Sequence, residues 1–152
     1  MARALGLALP ISFKQSVEIC SFIKNKNVNQ TKKILQDVVE QRLAIPFKRY
    51  DHDLSHKKKI GPGRYPVNAS KEFLKLIENV EANAQFKGLN TSSLSISHIS
   101  AHKAGKAWHF GRQTRRRMKR TNIEIVVEET LKKNEDKKES KPAKQANENK
   151  QK

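Results

Sequence analysis

The chain has 152 residues, 36% of them hydrophobic, and carries 32 Lys and Arg against 15 Asp and Glu, a formal net charge of +17. That length suits one domain with an appendage, and so large a like charge is most naturally relieved by a polyanion, which makes nucleic acid the leading partner class. A single cysteine excludes an internal disulfide and a Cys-X-X-Cys metal site, no apolar run is long enough for a membrane span, and MARALGLALP lacks the apolar core of a signal peptide, so a cytoplasmic protein is expected.

Residues 3–9 alternate, with Leu5, Leu7 and Leu9 against Ala4, Gly6 and Ala8. The pattern predicts a short strand with one large apolar face, weakened at Gly6 and ended by Pro10. Ser12 with Gln15 three residues on reads as a capping-box start. Phe13, Val17, Cys20 and Ile23 then recur at helical spacing, which predicts a first helix to about Lys24 and a buried, inert thiol at Cys20.

A second helix follows the turn NKNVNQ, with Ile34, Leu35, Val38, Val39 and Leu43 as its apolar stripe and Pro46 as its bound. Residues 47–67 show no period, and Gly-Pro-Gly with a second Pro marks a long irregular excursion of the functional or disordered kind. A third helix is expected from about Ala69 to Lys87, with Phe73, Leu74, Ile77, Val80 and Ala84 facing inward and Gly88 as the stop. Two strands come next. Residues 93–101 place Leu94, Ile96 and His98 opposite Ser95, Ser97 and Ile99, and residues 123–129 place Ile123, Ile125 and Val127 on one face, together a β-hairpin with a long connection.

That connection carries the main signal. Lys103, Lys106, Arg112, Arg115, Arg116, Arg117, Lys119 and Arg120 fall within it without a single acid. Solvated surfaces normally intersperse both signs, so this stretch is expected to bind a polyanion, and guanidinium planes that fork onto phosphate and stack on bases suit folded RNA. Trp108, the only Trp, sits among these cations with His109 and Phe110. Trp108 is expected to stack on or wedge against bases rather than pack in a core, and His109 to touch base or phosphate.

A second basic site is expected in KKKIGPGRY, where Lys57, Lys58, Lys59 and Arg64 grip phosphate and the glycines let the backbone come close. Asp51, His52, Asp53 and His56 match no metal-ligand spacing and read as a solvated polar turn, so no metal and no cofactor is expected. The sequence holds no HExxH, GxSxG, Walker or GxGxxG motif, and Glu18, Asp37, Glu78 and Glu81 have ordinary helix-surface explanations; an enzyme is not expected. Residues 132–152 contain eight Lys, four acids and no aliphatic residue larger than Ala, so they are expected to be disordered in isolation. Without them 24 basic and 11 acidic residues remain, so the basic character belongs to the domain of residues 1–131.

Three quoted segments carry a resemblance to a known family: PISFKQS (10–16), ASKEFLKLIENVEANAQFKGL (69–89), and Gly111 and Arg112 followed by KRTNIEIVVEE (119–129). With the expanded loop KKKIGPGRYP, residues 2–130 resemble the L-twenty-two family of large-subunit ribosomal proteins (numbered seventeen in eukaryotes), in its archaeal and eukaryotic branch. The resemblance implies an α/β (α+β) fold, a three-stranded antiparallel sheet packed on three helices, with a long basic hairpin at about residues 94–127. It also implies a structural constituent of the large subunit that binds 23S-like rRNA, neighbours other large-subunit proteins and supports assembly. The hairpin would run to the wall of the nascent-peptide tunnel, with residues 104–111 near its tip beside the nascent peptide. The alternative from composition alone is a non-ribosomal basic RNA- or DNA-binding protein. Where the family often carries Pro-Arg-Ala before Gly-Arg, this chain has Ala-Trp-His-Phe.

Overall fold

The computed structural model describes residues 1–129, so the expectation for the Lys-rich segment 132–152 lies outside the described residues. The chain runs β1 (Ala2–Leu9), α1 (Phe13–Ile23), α2 (Val28–Val39), β2 (Ile45–Pro46), β3 (His56–Lys57), β4 (Gly61–Arg64), α3 (Val67–Phe86), β5 (Leu94–Lys103) and β6 (Thr121–Glu129). Short 3-10 turns stand at Thr91–Ser93 and Gly111–Gln113.

The main sheet has the order β1-β6-β5, antiparallel throughout, as expected of the α+β fold. Ile123, Ile125 and Val127 of the central strand β6 point to one side and are no more than 1% exposed. Leu94, Ile96 and Ile99 of β5 join them. All three helices close over this face, α3 with Phe73, Leu76, Ile77, Val80 and Ala84, α1 with Ile19, Cys20 and Ile23, and α2 with Leu35 and Val38. Burying a side chain such as Phe73 contributes about 1.5–3 kcal/mol, and this single cluster is the stable part of the molecule. Burial also pushes the Cys20 thiol up to about 12, which leaves it protonated and unreactive at neutral pH.

Over residues 2–7 the two faces of β1 exchange the roles the alternation predicts, whereas beyond the irregularity between Gly6 and Leu9, where Ala8 takes φ of 51°, Leu9 packs against the core as expected. Ala2 and Gly6 face the core, whereas Leu5 and Leu7 are 58% and 65% exposed. The cause is how closely α3 packs. A Cβ on Gly6 would lie 2.9 Å from Leu76 Cδ1, so only the small-residue face can sit beneath the helix. Gly6 is thus a point of close approach, not a weakness.

A second correction concerns β5. A register shift lies between Ile96 and His98, and the extra residue flips the alternation beyond it. Ile99 therefore returns to the buried face with Leu94 and Ile96, and His98 turns outward.

Both early helices end differently from their sequence signals. Ser12 makes no side-chain cap; its carbonyl instead accepts from the Ser16 amide and from Ser16 Oγ, both at 2.9 Å. Helix α2 starts under an Asn27 cap, whose Oδ1 accepts from the Asn29 amide at 2.9 Å. It stops well before Pro46. Gln41 takes φ of 62°, and Arg42 and Gln41 donate to the carbonyls of Asp37 and Val38, a Schellman closure with Gln in the left-handed position. Leu43 consequently packs from beyond the helix. Gly88 ends α3 as expected, at φ of 71°.

The excursion after Pro46 is folded. Strands β2, β4 and β3 pair in that order, and Phe47 is 1% exposed. Its anchor is Glu18, a residue that reads as a helix-surface acid in sequence and is in fact buried at 2% exposure. Glu18 Oε1 accepts from the amides of Arg49 and Tyr50 at 2.8 Å, and Oε2 accepts from that of Lys48 at 3.1 Å. Three N–H donors satisfy the carboxylate and fix where the loop turns.

Candidate nucleic-acid interface

Beyond the sheet, the chain leaving β5 and the chain entering β6 continue to pair. Ala104 donates to the Arg120 carbonyl at 3.3 Å, Met118 to Ala107 at 2.8 Å and His109 to Arg116 at 2.8 Å. Trp108 bridges Arg117, and the turn at Gly111–Gln113 reverses the chain. The result is an arm that projects from the buried ladder, with its reversal at about residues 110–115. Residues 104–109 therefore form one side of the stem, and the tip lies further out than the resemblance implies.

Every residue expected to bind RNA on the connection lies on this arm. Lys106, Arg112, Arg115, Arg116, Arg117 and Lys119 are exposed, and none of the four ion pairs among the described residues involves an arm cation. The two cations at the base are partly engaged. Lys103 Nζ stands 5.4 Å from the Phe13 ring centroid, and Arg120 Nη1 donates to the Ala8 carbonyl at 3.3 Å. An arm bearing like charge without internal partners keeps its full Coulomb attraction for a polyanion.

Trp108 is 55% exposed, with the Arg117 guanidinium 4.4 Å from its ring centroid. The stack orders the Trp ring on the arm without burying it, and leaves ring area open for a base. His109 is half-buried beside it on the stem. Phe110, at the reversal, is 85% exposed. With its place among the arm cations and directly before Gly111, that makes it a second stacking candidate beside Trp108.

The residues of the second expected site lie on β3, on β4 and in the turn between them. Lys58, Lys59 and Arg64 are exposed, while Lys57 is half-buried with Nζ 5.5 Å from the Tyr65 ring. The expectation that the glycines admit a phosphate fails at Gly63. A Cβ there would lie 3.2 Å from Lys57 Cγ and 3.4 Å from the Ile45 carbonyl, so its free space is taken by its own sheet.

One grouping was not visible in the sequence. At the base of the arm the Phe13 and Tyr50 rings meet edge to face, with centroids 6.2 Å apart. Lys14, Arg49 and Lys103 surround them, at 5.9 Å and 5.6 Å from Tyr50 and 5.4 Å from Phe13 respectively. Lys14 also pairs with Asp51 at 2.8 Å, and that hydrogen bond raises its pKa above the ordinary lysine value. Asp51 is thereby tied to a lysine. These residues come from three distant segments, so only the Glu18 anchor and the base of β5 bring them together; the adjacent pairs, Phe13 with Lys14 and Arg49 with Tyr50, are the local hints. Among the described residues, no group of His, Cys, Asp and Glu could hold a metal ion, and no helix is long and apolar enough to cross a membrane.

A family model described as Ribosomal protein L22p/L17e matches residues 4–128. Among curated proteins, the large ribosomal subunit protein uL22 of Archaeoglobus fulgidus is 43% identical over 135 residues, covering 84% of this chain and 87% of that protein. The uL22 of Staphylothermus marinus is 43% identical over 140 residues, covering 85% and 89%. That of Methanoculleus marisnigri is 42% identical over 137 residues, covering 85% and 90%.

Proposed function

The chain belongs to the ribosomal protein L22p/L17e family, and from that premise we propose that it is a structural, non-enzymatic constituent of the large subunit of the cytoplasmic ribosome whose arm is embedded in rRNA. The observation that carries the rRNA reading is the arm itself, with exposed cations, no acid and no intramolecular ion pair. The body holds the two strands rigidly where they leave the sheet. The arm supplies phosphate neutralisation along its stem, and Trp108 and Phe110 supply aromatic faces for bases near the tip. Lys58, Lys59 and Arg64 give a second phosphate contact from the small sheet, and the Phe13 and Tyr50 cluster a third at the base of the arm. The function is architectural: the protein exchanges its own charge repulsion for order in the RNA and so promotes assembly.

The same reading assigns the outermost residues, 110–115, to the wall of the nascent-peptide exit tunnel, where they meet the nascent chain. It also gives the body neighbours among the other large-subunit proteins.

Sedimentation tests the proposal. The chain should travel with large subunits through a gradient at moderate salt; its absence there would leave the reading as a free basic RNA- or DNA-binding protein. For the isolated protein, eight arm cations on phosphates give a slope of log K against log salt of about −6 to −7. A nearly flat dependence would remove the electrostatic basis of the reading. Crosslinks from Trp108, Phe110 and Arg112 to rRNA would locate the arm.

A further inference from the structure

An open sheet has two edges, and an unpaired strand edge is a template for another strand unless something covers it. This chain covers the β5 edge itself. Asn25 donates to the Ile96 carbonyl and Ile96 donates to that of Lys26, both at 3.0 Å, and Asn27 bridges Ser95. The β1 edge has no backbone cover among the described residues. Val126, opposite Arg3, turns its carbonyl toward β5, where Ser97 Oγ donates to it at 3.3 Å. Arg3 therefore directs its own backbone groups away from β6, and Leu5 does the same two residues on. Only side chains of α3 reach this edge. Asn83 donates to the Arg3 carbonyl at 3.0 Å and Lys87 Nζ to the Met1 carbonyl at 3.3 Å, which leaves the Leu5 groups open between β1 and the groove.

Between edge and helix lies a groove of about 660 Å³, with Arg3 and Leu5 on one side and Asn79, Ala82 and Asn83 on the other. Phe86 continues the same face of α3 and is 94% exposed, and Leu5 is 58% exposed. Two large apolar side chains thus flank an open strand edge. The groove carries one charge of each sign, Arg3 and Glu124, in contrast to the acid-free arm. Even with Lys87 at the Met1 end, Glu124 opposes Arg3 here and the cations are few, so a polyanion finds a far weaker electrostatic match than on the acid-free arm, and a second copy of the chain would bring +17 against +17. An extended, weakly charged segment with apolar residues at alternate positions matches all of it. Its backbone amides would replace the Asn83 side-chain amide and the Lys87 ammonium at the edge carbonyls, and its side chains would cover Phe86 and Leu5.

We infer that the edge of β1 with α3 beside it is a docking groove for an extended segment of a partner polypeptide, added as a fourth strand to the β1-β6-β5 sheet. The inference rests on the edge geometry and not on the ribosomal reading. Its test is a photo-crosslinking amino acid in place of Asn79 in the full chain, irradiated in the cells of origin, with RNA and protein adducts both read by mass spectrometry. The expected result is a crosslink to one segment of one polypeptide, weakened about tenfold or more by Leu5→Pro, which removes the outward donor, and by Phe86→Ser, which removes an exposed anchor that the core does not use. Adducts to RNA or to a second copy, no adduct at all, or a protein adduct indifferent to Phe86→Ser would each overturn it. Sedimentation of the same sample reports separately on ribosomal membership.

Discussion

The two halves of the β5 and β6 hairpin share one antiparallel ladder and differ in almost everything else. In the inner half, Ile123, Ile125 and Val127 are buried under three helices, and the ladder is stabilised by apolar area removed from water. In the outer half no residue is buried, and order comes from backbone pairing and the stack of Arg117 on Trp108. Hydrogen bonds exposed to water add little net stability, so the protein shapes the outer half but stabilises it little, and on the proposed reading the RNA supplies the rest. A fold element can therefore be both anchor and ligand if its side chains change character along its length.

Replacing residues 105–119 by Asn-Gly separates the two halves most sharply. The new two-residue turn closes the hairpin between Ala104 and Arg120, whose backbones already pair. Unfolding should stay cooperative with a nearly unchanged midpoint. RNA affinity at low salt should fall by about 10³-fold, and the salt slope should become shallower by about 4 to 5, because six cations are lost. Loss of cooperative unfolding would show that the arm belongs to the core.

Glu18→Gln tests whether the body also orders the cluster at the foot of the arm. The Gln amide nitrogen cannot accept, so at least one of the three loop N–H groups loses its partner, at about 1–3 kcal/mol by denaturant unfolding. Hydrogen exchange at Lys48, Arg49 and Tyr50 should accelerate. An unchanged exchange rate would mean that the loop is held by other contacts.

A subtler pair compares the two faces of β1. Gly6→Val forces a side chain against Leu76 and should destabilise by about 1–3 kcal/mol. Leu7→Ser, on the exposed face, should change stability by less than about 0.5 kcal/mol. Equal effects would contradict the assignment of the small-residue face to the core.

Much of this molecule follows from its sequence by local physics. Helical and strand periodicities are set by residue spacing, so the three helices, the strands β1, β5 and β6 and the hairpin were legible, as were the basic arm and the cations of KKKIGPGRY, because charge needs no partner to be read, whereas the short strands β2, β3 and β4 carry no period and were not. Long-range choices were not legible. Which face of β1 is buried depends on how near α3 approaches, and alternation alone favours the leucines. The flip of Ile99 depends on one extra residue in the pairing with β6, which leaves no mark in composition. Glu18 looks like any surface acid until a loop thirty residues away, at Lys48 to Tyr50, turns its amides toward it. The meeting of Phe13, Tyr50 and Lys103 and the open edge of β1 have the same origin. The sequence by itself determined the elements and where charge accumulates; packing between distant segments decided which faces are buried, where the arm is rooted and which edge stays open, because those depend on distances that no single segment contains.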